Sequence, residues 1–400
     1  MVDIRTVNLR HLRAFREVVR CRSVSQASER VHLSQPAITQ AITKLEGQLD
    51  TQLFERRSAG MFPTQAGTLF NQRVDRALSH IEQGAQQARR IGQKRGSRGF
   101  ANFEQLLTSA QLRALTAVAD AGNFSLAARS VGISQPSLHR AARDLERLAG
   151  MLLFDKHSQG IALTQPARVL VRHAKLAFSE LVQGCHEVEA LSGLDTGRIV
   201  IGTMPLARSH ILPTAIDAML SDRPDVTISV VDGPYDDLLY GLRHGEIDLL
   251  IGALRDPPPI DDVTQEALFD DALSVVGRTG HPLAAERAID REDLAGFPWI
   301  VPRRGTPTRD HFDTLFADDL PDRIIETSSL VLVRGLLVNS DRLTLISRHQ
   351  IRFEEETGLL TRLDANIGSA QRPIGLTLRR AWHPTETQRL FLEHVRKASG

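Results

Sequence analysis

Leu33-Ser34-Gln35-Pro36-Ala37-Ile38-Thr39-Gln40 is echoed by Ile133-Ser134-Gln135-Pro136-Ser137-Leu138-His139-Arg140, and this offset of 100 residues decides how the first half of the chain is read. The same register pairs Leu12-Arg13-Ala14 with Leu112-Arg113-Ala114, Leu45-Glu46 with Leu145-Glu146, Leu53-Phe54 with Leu153-Phe154, and Thr64-Gln65 with Thr164-Gln165. Short matches arise by chance, but a gapless series in one register marks an internal repeat.

Each copy carries helical periodicity. Leu9, Leu12, Phe15, Val18 and Val19 fall at helix spacing, and Gln26 to Val31 predicts a short second helix. Ser34 suits the cap of a third helix, with Pro36 in the first turn where a missing amide proton costs least. That helix turns Ile38, Ile42, Leu45 and Leu49 inward and leaves Thr39, Gln40, Thr43 and Lys44 outward. Leu138, Ala142, Leu145 and Leu148 repeat the inward set, with His139, Arg140 and Arg143 outward. Three short helices with a tight turn before the third are helix-turn-helix organisation.

Leu53 to Gln65, with Gly60 at its tip, predicts a two-stranded wing. Thr64 then caps a long helix with a seam at Phe70, Val74, Ala77, Ile81, Gly84, Ala88 and Ile91. The second copy gives Leu170, Ala174, Ala177, Leu181, Gly184, Val188 and Leu191. Alternating steps of four and three predict a helix packed lengthwise on another helix. The glycines and alanines predict weak coiled coils unless other contacts support them.

Charge divides the 400 residues unevenly. Residues 1–100 hold 17 basic and 8 acidic side chains, 101–197 hold 9 of each, and 198–400 hold 23 and 31, within a net charge of +1. A basic first segment on an otherwise acidic chain points to a polyanionic partner for that segment. Asp144 and Asp155 stand where the first copy has Lys44 and Glu55, so the second copy is expected to bind a polyanion more weakly, or to serve mainly in dimerisation.

From Gly197 the pattern changes to strand, helix, strand. Arg198 to Gly202, Val226 to Val231 and Leu249 to Gly252 form one set of predicted strands. Leu273 to Gly277, Pro298 to Val301, Arg323 to Thr327 and Leu343 to Ser347 form a second, and Ile374 to Arg380 with a final helix returns to the first. This spacing predicts parallel α/β units.

Residues 12–65 resemble the N-terminal domain of LysR-type regulators through Ser25-Gln26-Ala27-Ser28, Leu33 to Gln40, Leu45-Glu46, Leu53-Phe54 and Thr64-Gln65-Ala66-Gly67. Residues 112–167 resemble it again through Gly122 to Ala128 and Ile133 to Leu138. The duplication is a departure from the family. The resemblance implies a multidomain chain: two tandem all-α winged helix-turn-helix domains, each with a long linker helix, then an α/β two-lobed effector domain similar to periplasmic binding proteins. The expected boundaries are 1–97, 98–195 and 196–400, with lobe I at about 196–268 and 370–400 and lobe II at about 269–369.

By the same resemblance the third helix enters the major groove of double-stranded DNA and the wing reaches the flanking backbone. This nominates Gln35, Pro36, Thr39 and Gln40 for base edges, with Ser34, Lys44, Arg56 and Arg57 on phosphates. In the second copy it nominates Gln135, Pro136, His139 and Arg140, with Ser134, Arg143 and Lys156 on phosphates. Gln suits adenine and Arg suits guanine. Ligands of such sheets sit at strand C-termini and helix N-termini. That picks out Thr203, Met204, Pro205, Gly233, Pro234 and Tyr235 in one lobe, and Arg304, Gly305, Thr306, Thr308, Thr327, Ser328 and Ser329 in the other. Their chemistry suits a small organic anion as effector.

The implied function is regulation of transcription, with self-association through the linker helices and effector domain and with RNA polymerase as a partner. A dimer of this chain would present four recognition helices. No phosphate-binding glycine loop, metal-ligand cluster or nucleophile elbow occurs in the sequence, so no enzyme, cofactor or metal is expected. Cys21 and Cys185 are read as small apolar residues, and the lack of a signal or spanning segment predicts a cytoplasmic location without membrane contact. The rival class is a small-molecule-binding or catalytic protein of the periplasmic-binding fold with helical interaction domains. It predicts tight ligand binding or activity without DNA.

Overall fold

The computed structural model describes all residues except 1–2, 94–99, 101, 158–159, 194–196, 318 and 369–370, together with all side chains of the described residues but those of Gln93 and Lys156. The expected domain limits at 97/98 and 195/196 fall outside the described residues. The chain forms two compact units: residues 1–198 with 225–227 and 244–246, and residues 199–224, 228–243 and 247–400.

In the first unit, helices α1 (Leu9–Cys21), α2 (Val24–Val31) and α3 (Gln35–Leu49) precede a hairpin of β1 (Phe54–Arg57) and β2 (Gly60–Pro63) and the long α4 (Gln65–Gln93). The same order follows as α5 (Ser109–Ala121), α6 (Phe124–Ser130), α7 (Gln135–Ala149), β3 (Phe154–His157), β4 (Gly160–Leu163) and α8 (Gln165–Ala190). Ser34 and Ser134 cap α3 and α7 by accepting from Ala37 N and Ser137 N, with Pro in the first turn of each. Thr64 and Thr164 anchor the start of α4 and α8, each donating to a carbonyl across the wing, Gln52 O at 2.8 Å and Leu152 O at 2.9 Å.

Gly60 and Gly160 close the wings at φ +130° and +139°. A Cβ on Gly60 would stand 2.3 Å from Arg22 O, the carbonyl that accepts Met61 N at 3.0 Å. Ile161 N bonds Gly122 O in the same way, so each wing is clipped to the end of its first helix. The helix ends themselves differ. Positions 22, 32 and 50 take the left-handed conformation with Arg, His and Asp, where positions 122, 132 and 150 have glycine.

Helices α4 and α8 lie against each other, and one continuous core runs from Ile4 to Val188 through both copies. Gly84 is the point where α8 comes closest: a Cβ there would fall 2.6 Å from His173 Cβ. Gly184 is the same contact from the other side, its Cβ falling 3.0 Å from Arg73 Cβ. The residues named in these two contacts differ by 100, so the helices run antiparallel about a local two-fold. The small seam residues are therefore close-approach sites rather than weak points. Two corrections follow for the seams. They cover one another inside one chain, so the surface expected to join separate chains is already occupied. Leu191 stands past the end of α8 and is 42% exposed, so it is not part of the seam.

The N-terminal segments are exchanged across this two-fold. The turn Ile4–Thr6 packs on α8, and the turn Phe103–Leu106 packs on α4. Arg13 on α1 donates to Glu104 O at 2.6 Å and Gln105 O at 2.9 Å, and Ser109 Oγ donates to Val7 O.

The second unit contains β5 (Arg198–Thr203), α9 (Ile211–Asp222), β6 (Thr227–Asp232), α10 (Tyr235–Arg243), β7 (Leu249–Ala253), β8 (Val263–Arg278), α11 (Arg291–Ala295), β9 (Trp299–Val301), α12 (Pro307–Leu315), β10 (Ile324–Glu326), α13 (Leu330–Val338), β11 (Leu343–Ser347), α14 (Arg352–Glu356), β12 (Leu360–Arg362), β13 (Gln371–Arg379) and α15 (Glu386–Ser399). Strand order is β10-β9-β11-β8-β13-β7-β5-β6, with β12 on β8. Pairs β5/β7, β9/β10 and β9/β11 are parallel, whereas β8 and β13 pair antiparallel with each other and with their neighbours. The segment Leu273 to Gly277, expected as a separate strand, is the end of the 16-residue β8. That strand runs through residue 268, where a lobe limit was expected, and joins the two halves of the sheet.

Candidate nucleic-acid interface and effector cleft

The cap at Ser34 leaves the first turns of α3 facing outward beside the wing. Gln35, Pro36, Thr39, Gln40, Lys44, Arg56 and Arg57 line one open groove of about 1030 Å³, together with Val24, Thr43, Gly60 and Met61. Seven of the eight nominated residues of the first copy thus converge on one surface. Ser34 stands at its edge with its hydroxyl committed to the helix cap. Gln35 Nε2 donates to Ser25 Oγ at 3.3 Å, which fixes the turn between α2 and α3. Arg57 bonds Glu55 Oε2 at 2.7 Å, and both Arg22 and Arg57 stand 5.3 Å from the centre of the Phe62 ring. Phe62 was not singled out in the sequence, although its place beside the wing glycine and arginines was the available signal.

The second copy uses its charges differently. Arg143, nominated for phosphate, is paired with Glu146, as Arg57 of the first copy is with Glu55. Arg147 pairs with Asp144 at 2.6 Å. His139 packs on Phe124 with ring centres 4.9 Å apart, and Ser125 Oγ donates to Gln135 Oε1 at 2.9 Å. Arg140 and Pro136 are exposed on the outward face, and Ser134 caps α7. The side chain of Lys156 lies outside the described residues. Glu46 and Glu146 are unforeseen contributors in both copies. Each accepts two backbone N–H groups at the wing entrance, Leu53 and Phe54 at 2.9 and 3.3 Å, and Leu153 and Phe154 at 2.9 and 3.1 Å. This ties the third helix to the wing by charge-assisted bonds.

In the second unit the nominated residues fall at strand ends and helix starts. Thr203 ends β5, Pro205 begins a helical turn beside it, and Met204 lies over Gly252, where a Cβ would meet its sulfur at 2.5 Å. Gly233 and Pro234 lead into α10, whose first residue Tyr235 stacks under Arg255 at 4.8 Å. Arg255 also donates to Gly305 O at 3.3 Å, so Tyr235 and Gly305 share one guanidinium. Thr306 caps α12, Thr327 accepts from Ser329 N, Ser329 caps α13, and Arg304 and Ser328 are exposed.

Thr308 leads to a group that the sequence did not reveal. It accepts from Arg372 Nη1, and Arg372 bonds Asp271 Oδ2 at 3.0–3.1 Å. Ser347 donates to Asp271 Oδ1 at 2.5 Å. Asp271 and Ser347 are 1% and 0% exposed, and burial, partly offset by Asp271, pushes the Arg372 guanidinium down. β8, β11 and β13 deliver these residues from positions 76 and 101 apart in sequence, so no local motif announces them.

Comparison with known proteins agrees with both halves. Residues 9–68 and 109–168 match the model for the bacterial regulatory helix-turn-helix protein of the lysR family, and residues 192–400 match the LysR substrate binding domain. The HTH-type transcriptional regulator GalR of Pseudomonas putida is 32% identical over 382 residues, covering 95% of this chain and 94% of that protein. A full-length OxyR variant from Pseudomonas aeruginosa shares the fold at TM-score 0.55 with 19% identity, over 76% of this chain and 95% of that one. Full-length CbnR, solved with its target DNA, does so at TM-score 0.51 with 22% identity, over 72% and 98%. No helix among the described residues is long and apolar enough to cross a membrane. The chain therefore belongs to the LysR family and is a DNA-binding transcriptional regulator with an effector-binding domain.

Proposed function

We propose that the two helix-turn-helix segments are a tandem duplication, and that α4 and α8 join them into one DNA-binding head within a single chain. The carrying observation is the reciprocal contact of Gly84 with His173 and Gly184 with Arg73. α3 reads one half-site with Gln35, Pro36, Thr39 and Gln40, while Ser34, Lys44, Arg56 and Arg57 hold phosphates. α7 reads the other with Gln135, Pro136, His139 and Arg140, flanked by Ser134 and Lys156. Because Thr39, Gln40 and Lys44 face His139, Arg140 and Asp144 as counterparts, the two half-sites of one chain differ in sequence. The second copy, with Asp144 where the first has Lys44, contributes less phosphate attraction.

The effector is a small organic anion held between the lobes near Arg372, Arg255 and the starts of α12 and α13. Chains associate through the effector domain: β6 and β10 are the outer strands of its sheet, and Val331, Leu332 and Val338 on α13 and Val230 and Val231 on β6 are exposed hydrophobics. Two chains then present four recognition helices to DNA in the cytoplasm and to RNA polymerase beside it.

Gel-shift titration on sequences selected from a random pool tests the head. Gln40→Ala is expected to relax preference in one half-site and Arg140→Ala in the other, each by about 1–3 kcal/mol. Lys44→Ala is expected to weaken all sequences and reduce the salt slope by about 1. Selection of a palindrome whose two halves both relax with Gln40→Ala would refute the reading.

A further inference from the structure

The two ends of the α4–α8 seam carry different chemistry at equivalent positions. Arg73 on α4, its side chain 2% exposed, reaches across to α8. Its Nε and Nη2 bond the two carboxylate oxygens of Glu187 at 2.8 and 2.6 Å. Its Nη1 bonds Glu180 Oε2 and Gln183 Oε1, both at 2.9 Å. Shifted by 100 residues, Arg73 corresponds to His173 of α8, and Glu180, Gln183 and Glu187 correspond to His80, Gln83 and Gln87 of α4. The rings of His80 and His173 stand 5.8 Å apart there. One end of the seam holds a cation between carboxylates. The other holds two imidazoles and has no carboxylate at the equivalent positions.

We infer that the Arg73–Glu180–Glu187 lock selects the partners of the seam, so that α4 takes α8 and each helix rejects a second copy of itself. An α4–α4 pair in this geometry would bury Arg73 against His80, Gln83 and Gln87, which offer it no carboxylate. An α8–α8 pair would bury Glu180 and Glu187 against His173. A buried charge left without its partner is far costlier than a buried pair, so both like pairings lose to the unlike one. The apolar positions cannot make this choice. Phe70 and Leu170, Val74 and Ala174, Ala77 and Ala177, and Ile81 and Leu181 are buried and hydrophobic in both helices. A seam of that kind packs on any similar helix, and polar residues in it are what fix partner choice. The lock thereby directs each head to close within one chain rather than between chains or with the helices of a related regulator.

Charge exchange in the full-length chain tests this by calorimetry and light scattering. Arg73→Glu alone, and Glu180→Arg with Glu187→Arg alone, are each expected to lower the melting temperature of the helical half by about 5–10 °C. The triple exchange in one chain is expected to recover most of that loss at the wild-type mass. Mixing the first two variants is expected to recover it too, now only in species that contain both variants, read by capture through a tag on one of them, because each chain finds its complement in the other. Partner selection is overturned if the separate variants melt like wild type. It is equally overturned if the triple exchange and the mixture stay as unstable as the separate changes added together, since the residues would then act independently.

Discussion

Acid removes stability from the helical half through His173. His173 is 4% exposed, and among the described residues neither ring nitrogen has a hydrogen-bond partner. Burial first, and then Arg172 and His80, bring its pKa from 6.5 down to about 4. The unfolded chain titrates near 6.5, so below that pH it binds a proton that the folded chain refuses. This part of the stability is whole above the unfolded value and drains away as the pH falls toward the folded one. At about 1.4 kcal/mol per pKa unit, the loss is about 2 kcal/mol at pH 5 and about 3 kcal/mol at pH 4. For a unit of this size that corresponds to a melting temperature lower by about 4–8 °C at pH 5. The assay is scanning calorimetry of the wild type and His173→Leu at pH 7.5 and pH 5. The two proteins share every other titratable group, so the difference between them isolates the imidazole. The variant is expected to be the more stable at pH 7.5, because it removes the two unsatisfied ring nitrogens of His173 from the seam, and to lose less on acidification. Melting temperatures that fall in parallel for the two proteins would refute the reasoning.

Asp50→Gly replaces a left-handed aspartate by the residue found at the equivalent helix end and is expected to gain about 1 kcal/mol, whereas Gly132→His is expected to lose about as much, both read by chemical denaturation. Glu46→Gln and Glu146→Gln each weaken two charge-assisted bonds to the wing, with an expected cost of about 1.5–3 kcal/mol and a faster amide exchange at Leu53, Phe54, Leu153 and Phe154; unchanged exchange would refute this. Arg372→Gln leaves Asp271 buried without its cation and is expected to abolish any thermal shift produced by carboxylate ligands; a shift equal to that of wild type would remove Arg372 from the effector site.

The repeat, the helix caps and the outward faces of α3 and α7 were legible because they are local: a Ser-Gln-Pro turn and a four-three seam need only neighbouring residues. The wing was legible from Gly60 and the Leu-Phe pair. What covers the seams was not, because periodicity says that a helix has a buried stripe and not which stripe buries it. Arg73 carried no signal in the sequence, because Glu180, Gln183 and Glu187 come to it from more than a hundred residues away. The strand expected from Leu273 begins earlier, because Asp271 is held inside β8 by Ser347 and Arg372. Arg143 reads as a free phosphate contact, yet Glu146 claims it one helical turn later. In each case a long-range or competing electrostatic partner overrode the local signal.

On the proposed reading, the pairing of α4 with α8 inside one polypeptide changes how the amount of active head depends on the amount of protein. A head built from two chains dilutes away as the square of chain concentration once that falls below the dissociation constant. In the proposed head the second module is tethered at a fixed effective concentration, so head formation is first order and each chain carries a complete one. A cell with a few molecules has the same fraction of closed heads as a cell with thousands. The ratio of the two modules is also locked at one to one, which leaves each recognition helix free to diverge without waiting for a matching change in the other.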